Sequence, residues 1–269
     1  MAESSFDRGA FTAALATRTL GRRLIARAEV GSTNDVAWEA LAEGAPDGTT
    51  IVADAQTAGR GRAGRAWHQA PGRGLALSLL LHPGCERRQL GVLPLVAGLA
   101  LANALEHVGA RPELKWPNDL LLAGRKVSGI LAESRGAPQG GDAVVIGVGV
   151  NVRHAPEDFP PELQALATSL AMEGVATTRE QVTAAFLNAL EPLWTEVQEG
   201  GRERALDAWR ARAAFWDREV RAHTPAGVRV GIARALDPDG GLVIEQADGS
   251  RITIVAGDVE AVREPGVPT

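Results

Sequence analysis

A chain of 269 residues with 45% apolar and 23% charged side chains suits one large globular domain with a small second one, and excludes a disordered or fibrous protein. Its formal net charge of −5 argues against whole-molecule attraction to nucleic acid or to an acidic membrane surface, so any anion site has to be local. The single cysteine, Cys85, excludes an intrachain disulfide and a cysteine-rich zinc site and fits a reducing cytoplasm, and the five histidines include no His-x-x-x-His pair.

The N-terminus carries Glu3 and Asp7 and lacks the basic-then-apolar order of a secretory signal. Residues 6–16 have helical spacing, and residues 24–30 read as a short strand. Then comes Gly31-Ser32-Thr33-Asn34-Asp35 ahead of a periodic apolar run, which has two readings. One is a capping box of Ser32 and Asp35 at a helix start; the other is a set of hydroxyl, amide and backbone N–H groups that holds a polar ligand. Residues 49–55 are a β-branched strand that delivers Gln56 just before a loop, GRGRAGRAWH, over residues 59–68.

That loop sets Arg60, Arg62 and Arg65 among glycines and follows them with Trp67. Fixed cations on a freely bending backbone suit an anion, and the indole offers a flat apolar face to a ring. The run satisfies G-x-G-x-x-G, but a dinucleotide fingerprint has to open a helix, and Pro71, Gly72 and Gly74 follow too soon. An arginine–glycine nucleic-acid segment would be long and repetitive, which this loop is not. An ordered loop closing over an anionic small molecule remains.

Further on, residues 75–81 predict a strand. Residues 86–107 predict a buried helix rather than a membrane span, because the uncharged stretch 89–105 is short and Pro94 interrupts it. The turn KWPND brings Lys115, Asn118 and Asp119 together, and Gly124-Arg125 reads as a hairpin tip before a strand over residues 126–134. Lys126 opens that strand, Gly129 leaves room for a ligand against it, and Asn151 ends a continuous apolar strand over residues 142–152. Two amphipathic helices over residues 178–199 and 202–213 precede short strands at 228–235, 242–245 and 251–255. Consecutive hairpins predict an α+β fold: a mixed or antiparallel sheet with helices on one face, without β-α-β alternation, plus a small C-terminal β-barrel of SH3 size. The domain boundary falls between residues 1–218 and 219–269.

Five motifs now stand in order: STN at Ser32 to Asn34, Gln56 with GRGRAGRAW, KWPND, KVSGIL at Lys126 to Leu131, and GVGVN at Gly147 to Asn151. Together they resemble the biotin protein ligases. The resemblance implies a class II synthetase-like catalytic domain with an SH3-like C-terminal domain. It implies activation of biotin by Mg-ATP to biotinyl-5′-AMP with release of pyrophosphate, then transfer to one lysine of a biotin carboxyl carrier protein of acetyl-CoA carboxylase or a related carboxylase. Magnesium would arrive with ATP, without fixed protein ligands.

By the same resemblance, Ser32, Thr33, Asn34, Gln56, Arg60, Gly61, Arg62, Lys126 and Gly129 bind biotin. Arg62, Arg65, Trp67, Lys115, Asn118, Lys126 and Asn151 bind ATP. Arg62, Lys115 and Lys126 take catalytic roles, and Asp119 helps the acceptor lysine lose its proton. Only 31 residues precede Ser32, which leads to an expectation of no DNA-binding domain and no operator DNA as partner. Gln69 departs from the small hydroxyl residue many members carry there. A homodimer through exposed strand edges follows from the resemblance alone. The alternatives are a lipoate or octanoyl transferase, which would lack the GRGRAGRAW loop, and a biotin or nucleotide sensor without turnover.

Overall fold

The computed structural model describes residues 4–84, 87–138 and 140–261. Cys85 and Glu86, where the central helix was expected to start, lie outside them. A sheet of seven strands forms the centre: β1 (Leu24–Val30), β2 (Thr50–Gln56), β3 (Gly74–Leu81), β4 (Glu113–Lys115), β5 (Asp119–Leu122), β6 (Arg125–Gly136) and β7 (Asp142–Asn151). Their order is β1-β2-β3-β7-β6-β5-β4. β1 and β2 are parallel and every other neighbouring pair is antiparallel, so the sheet is mixed.

The parallel pair needs a crossover, and the helix α2 (Thr33–Ala42) supplies it. One β-α-β unit therefore exists where sequence reading expected none. The glycine loop still follows its second strand and opens no helix, only a short 3₁₀ turn at Arg62–Gly64.

Helices cover both faces of the sheet, not one. Val52, Leu77, Leu79, Leu81, Val144, Ile146 and Val148 face the main core, together with α1 (Arg8–Ala14), α3 (Leu93–His107), α4 (Arg179–Gln198) and α5 (Arg202–Arg210). Ile51, Leu80 and Val145 point the other way, against Ala37, Trp38 and Leu41 of α2. The cause is legible in the strands themselves: β3 and β7 are nearly continuous apolar runs, and such strands must be buried on both faces. Gln89–His107 has a mean hydropathy of 1.4 and is 67% buried inside the fold. Its α-helical part begins only at Leu93, with Pro94 in the first turn where the missing N–H is no loss.

The C-terminal sheet has five antiparallel strands, β8 (Glu219–Thr224), β9 (Gly227–Leu236), β10 (Leu242–Glu245), β11 (Arg251–Ile254) and β12 (Asp258–Ala261), in the order β11-β10-β9-β8-β12. β8 and β12 escaped sequence reading because EVRAHT and DVEA are short and alternate with charge. Trp116 Nε1 donates to the Gly240 carbonyl at 3.0 Å, and Val220, Ala222, Leu242 and Ile244 join the main core. The second sheet is thus fastened beside the KWPND turn.

Candidate functional site

The site is built on the α2 face of β6 and β7. Register sets Gly129 opposite Gly149 and Leu131 opposite Gly147. A Cβ at Gly149 would overlap the Trp67 indole, and one at Gly129 would come within 3.2 Å of Trp67 Cζ3 and of Lys126 Nζ. At Gly147 a Cβ would lie 2.5 Å from Asn34 Oδ1. These glycines form the floor on which Asn34 and Trp67 rest, which is why Gly147 and Gly149 of GVGVN carry no side chain on this face.

A cavity of about 550 Å³ opens above that floor. Ser32, Thr33, Asn34, Gln56, Arg60, Gly61, Arg62, Arg65, Trp67, Lys115, Asn118, Asp119, Lys126, Gly129 and Asn151, each a candidate from the sequence, all line it. Its size is in the range of small-molecule sites.

One end is neutral and polar. Ser32 is the N-cap of α2, yet its side chain makes no capping hydrogen bond, and Asp35 pairs with Arg60 instead of closing a capping box. The helix start is therefore where the sequence put it, but the capping box is not formed. Thr33 donates to Gln56 Oε1 from its N–H at 2.8 Å and from its hydroxyl at 3.1 Å, and Asn34 Nδ2 donates to Glu133 at 2.8 Å. Ser78, the lone polar residue of LALSLLL and wholly buried, lies 2.8 Å from Thr33 Oγ1 and 2.6 Å from Asn34 Oδ1.

The other end is cationic. The arginine loop folds back on itself through Gly61 N–H to Arg65 O at 2.7 Å and Trp67 N–H to Gly59 O at 2.9 Å. Ala63 and Gly64 adopt positive φ at its tip. Arg60 makes a two-pronged ion pair with Asp35 at 2.7 and 2.8 Å, which holds that carboxyl below its ordinary range and raises the guanidinium. Arg65 pairs with Asp258 at 2.8 Å, and Lys126 Nζ with Asp119 at 2.7 Å. Arg62 differs. It donates to the neutral oxygens of Asn118 Oδ1 and Gly257 O, each at 3.2 Å, and burial pulls its pKa downward. A half-buried cation held by neutral oxygens gains most from an incoming anion.

Some expected contacts look different in place. Asn151 is buried and spends its Nδ2 on the carbonyls of Thr168 at 2.9 Å and Lys126 at 3.5 Å. Asn118 Nδ2 donates to Ile130 O at 2.7 Å, so this residue braces Arg62 as well as lining the cavity. Gln69 ties the loop's far side to the sheet by donating to Asp54 O at 3.2 Å and Gly74 O at 3.3 Å. Among the described residues no group of three or more His, Cys, Asp or Glu side chains is placed to hold a metal.

Residues 27–151 match the family model described as the biotin/lipoate A/B protein ligase family, and residues 216–261 match that of the biotin protein ligase C-terminal domain. The chain is 37% identical over 250 residues to the biotin–[acetyl-CoA-carboxylase] ligase of Mycobacterium tuberculosis, covering 90% of each chain. It belongs to the biotin protein ligase family. Another member, the bifunctional ligase/repressor BirA of Bacillus subtilis, is 36% identical over 91% of this chain and 76% of its own length. The biotin protein ligase of Aquifex aeolicus, solved in complex with biotin and ATP, superposes with a TM-score of 0.76 at 29% identity over 90% of this chain and 100% of its own.

Four residues in or near the site were not picked from the sequence. Glu133 and Asp258 are ordinary strand acids whose partners come from distant segments. His154 stacks on Phe159 at 5.1 Å, accepts from Ala70 N–H at 3.2 Å, and lies within reach of a Cβ at Gly74. Burial lowers its pKa to about 4. Ser78 alone carried a signal, as a hydroxyl inside an otherwise apolar strand.

Proposed function

We propose that this chain activates biotin with Mg-ATP and transfers the biotinyl group to a lysine of a biotin carboxyl carrier protein. The observation that carries the reading is a single cavity with a neutral hydrogen-bonding end at Ser32, Thr33, Asn34 and Gln56 and a cationic end at Arg62, Arg65, Lys115 and Lys126. A uncharged ureido head and an anionic carboxylate with its phosphates divide along that axis.

Carboxylate attack on the α-phosphorus brings two anions together and adds charge to the phosphoryl oxygens. In this reading Arg62 and Lys126 reduce that repulsion and favour the transition state, while the loop excludes the water that would hydrolyse the mixed anhydride. Gly129 lets the ligand lie against β6, and Arg60 with Gly61 covers it. Trp67 packs toward the adenine side, with Asn151 Oδ1 as acceptor for an amino group and Asn118 steadying Arg62. Lys126 leaves Asp119 for the ligand's anion, which frees the carboxylate to take the acceptor lysine's proton.

The same reading divides the chain at residues 1–218 and 219–269, supported by the C-terminal family match from residue 216. It gives the five C-terminal strands an SH3-like barrel form, the protein a cytoplasmic setting, and β1 or β4, the edges of the main sheet, a homodimer contact. Biotin-dependent exchange of pyrophosphate into ATP tests the reading. Exchange that requires both biotin and magnesium is expected; its absence with pure protein would overturn the reading.

A further inference from the structure

We infer that Glu133 is a positioning residue that fixes Asn34 and Arg60 together, tying the neutral end of the cavity to its arginine loop. The inference rests on the biotin-ligase reading of this site. Glu133 sits on β6 opposite Val145, hence on the α2 face. Its Oε2 accepts from Asn34 Nδ2 at 2.8 Å, from Trp38 Nε1 at 3.3 Å and from Arg60 Nη2 at 3.4 Å. Donors from the first turn of α2, from its next turn and from the loop converge on one oxygen.

An ionised carboxylate has no proton to give, so it accepts only the amino side of the Asn34 amide. The carbonyl side is thereby turned toward Ser78 Oγ at 2.6 Å and laid over Gly147. One lone pair of Asn34 Oδ1 takes the Ser78 proton. The other is left for an N–H donor in the cavity, which a cyclic urea has and an alkyl chain or a carboxylate lacks. Trp38, itself 6% exposed, pins the carboxylate from behind. Asp35 holds Arg60 more closely than Glu133 does, at 2.7 Å against 3.4 Å, so Glu133 sets where the guanidinium lies across the pocket while Asp35 anchors it.

The test uses the full chain in biotin-dependent ATP–pyrophosphate exchange, with Glu133→Leu, which keeps bulk and removes the acceptor, and Glu133→Gln, which keeps one accepting oxygen. The Leu variant is expected to raise the KM for biotin about tenfold, with KM for ATP within about twofold and the melting temperature unchanged. Gln is expected to fall between. Arg60→Met is expected to cost less in the Glu133→Leu background than in the native chain, because the two residues act as one unit. A biotin KM that stays within about twofold in both variants overturns the inference. So does a joint rise of both KM values with a fall in melting temperature, the signature of a merely structural role. A native chain without exchange overturns the ligase reading and the inference with it.

Discussion

At the scale of single residues, two side chains are held in unusual electrostatic states, and each makes a prediction. Arg62 is half-buried and hydrogen-bonded to neutral oxygens, so in the proposed function its clamp on the adenylate phosphate is the interaction the loop is shaped to make. Arg62→Gly is expected to release biotinyl-adenylate at least about tenfold faster, read by filter retention of labelled intermediate; unchanged retention would remove that role. His154 is neutral in the fold because burial lowers its pKa from 6.5 to about 4. Between those values the unfolded chain binds the proton and the folded one does not, so stability is full above about 6.5 and falls as the pH drops toward about 4. The loss amounts to about 3 kcal/mol at most. Urea unfolding across that window is expected to lose this component in His154→Gln, and an unchanged slope would contradict it.

At the scale of elements, the floor strand decides the geometry. Gly147→Ala drives a methyl into Asn34 and should raise the KM for biotin, whereas Gly149→Ala drives one into Trp67 and should act on the ATP side. Each is expected to cost about 1–3 kcal/mol of stability, from thermal melting, with the kinetic effects separated by substrate. Equal effects on both substrates would show that the two glycines do not serve separate ends. Much of this was legible in the sequence. Apolar or β-branched runs and their turns marked β1, β2, β3, β6 and β7, and the cavity gathers every residue picked from the five motifs as a site residue. What sequence could not show was which face each strand presents. The reading of helices on one face failed because a run such as LALSLLL reports that both faces are buried but not by what. Glu133 was invisible for a related reason: its three donors lie far from it in the chain, up to 99 residues away.

At the scale of the molecule, the C-terminal sheet meets the arginine loop. Arg65 pairs with Asp258 and Arg62 reaches the Gly257 carbonyl, so a loop between β2 and β3 is held by strand-end residues almost two hundred positions later. Both members of the Arg65–Asp258 pair are well exposed, at 56% and 40%, so the pair contributes at most about 1 kcal/mol and weakens with salt. Asp258→Asn is accordingly expected to speed proteolysis of the loop at low salt and to match the native chain at high salt; equal cleavage at both would show that the contact does not order the loop. The sequence showed a small β tail but not that its last strand reaches the site. The most direct test of the whole account is a single-turnover experiment with the purified chain, biotin, Mg-ATP and a carrier domain. The account predicts that biotinyl-5′-AMP forms on the protein and then decays as one biotinyl group appears on one carrier lysine. An adenylate that never forms, or a carrier that stays unmodified while the adenylate persists, would contradict it.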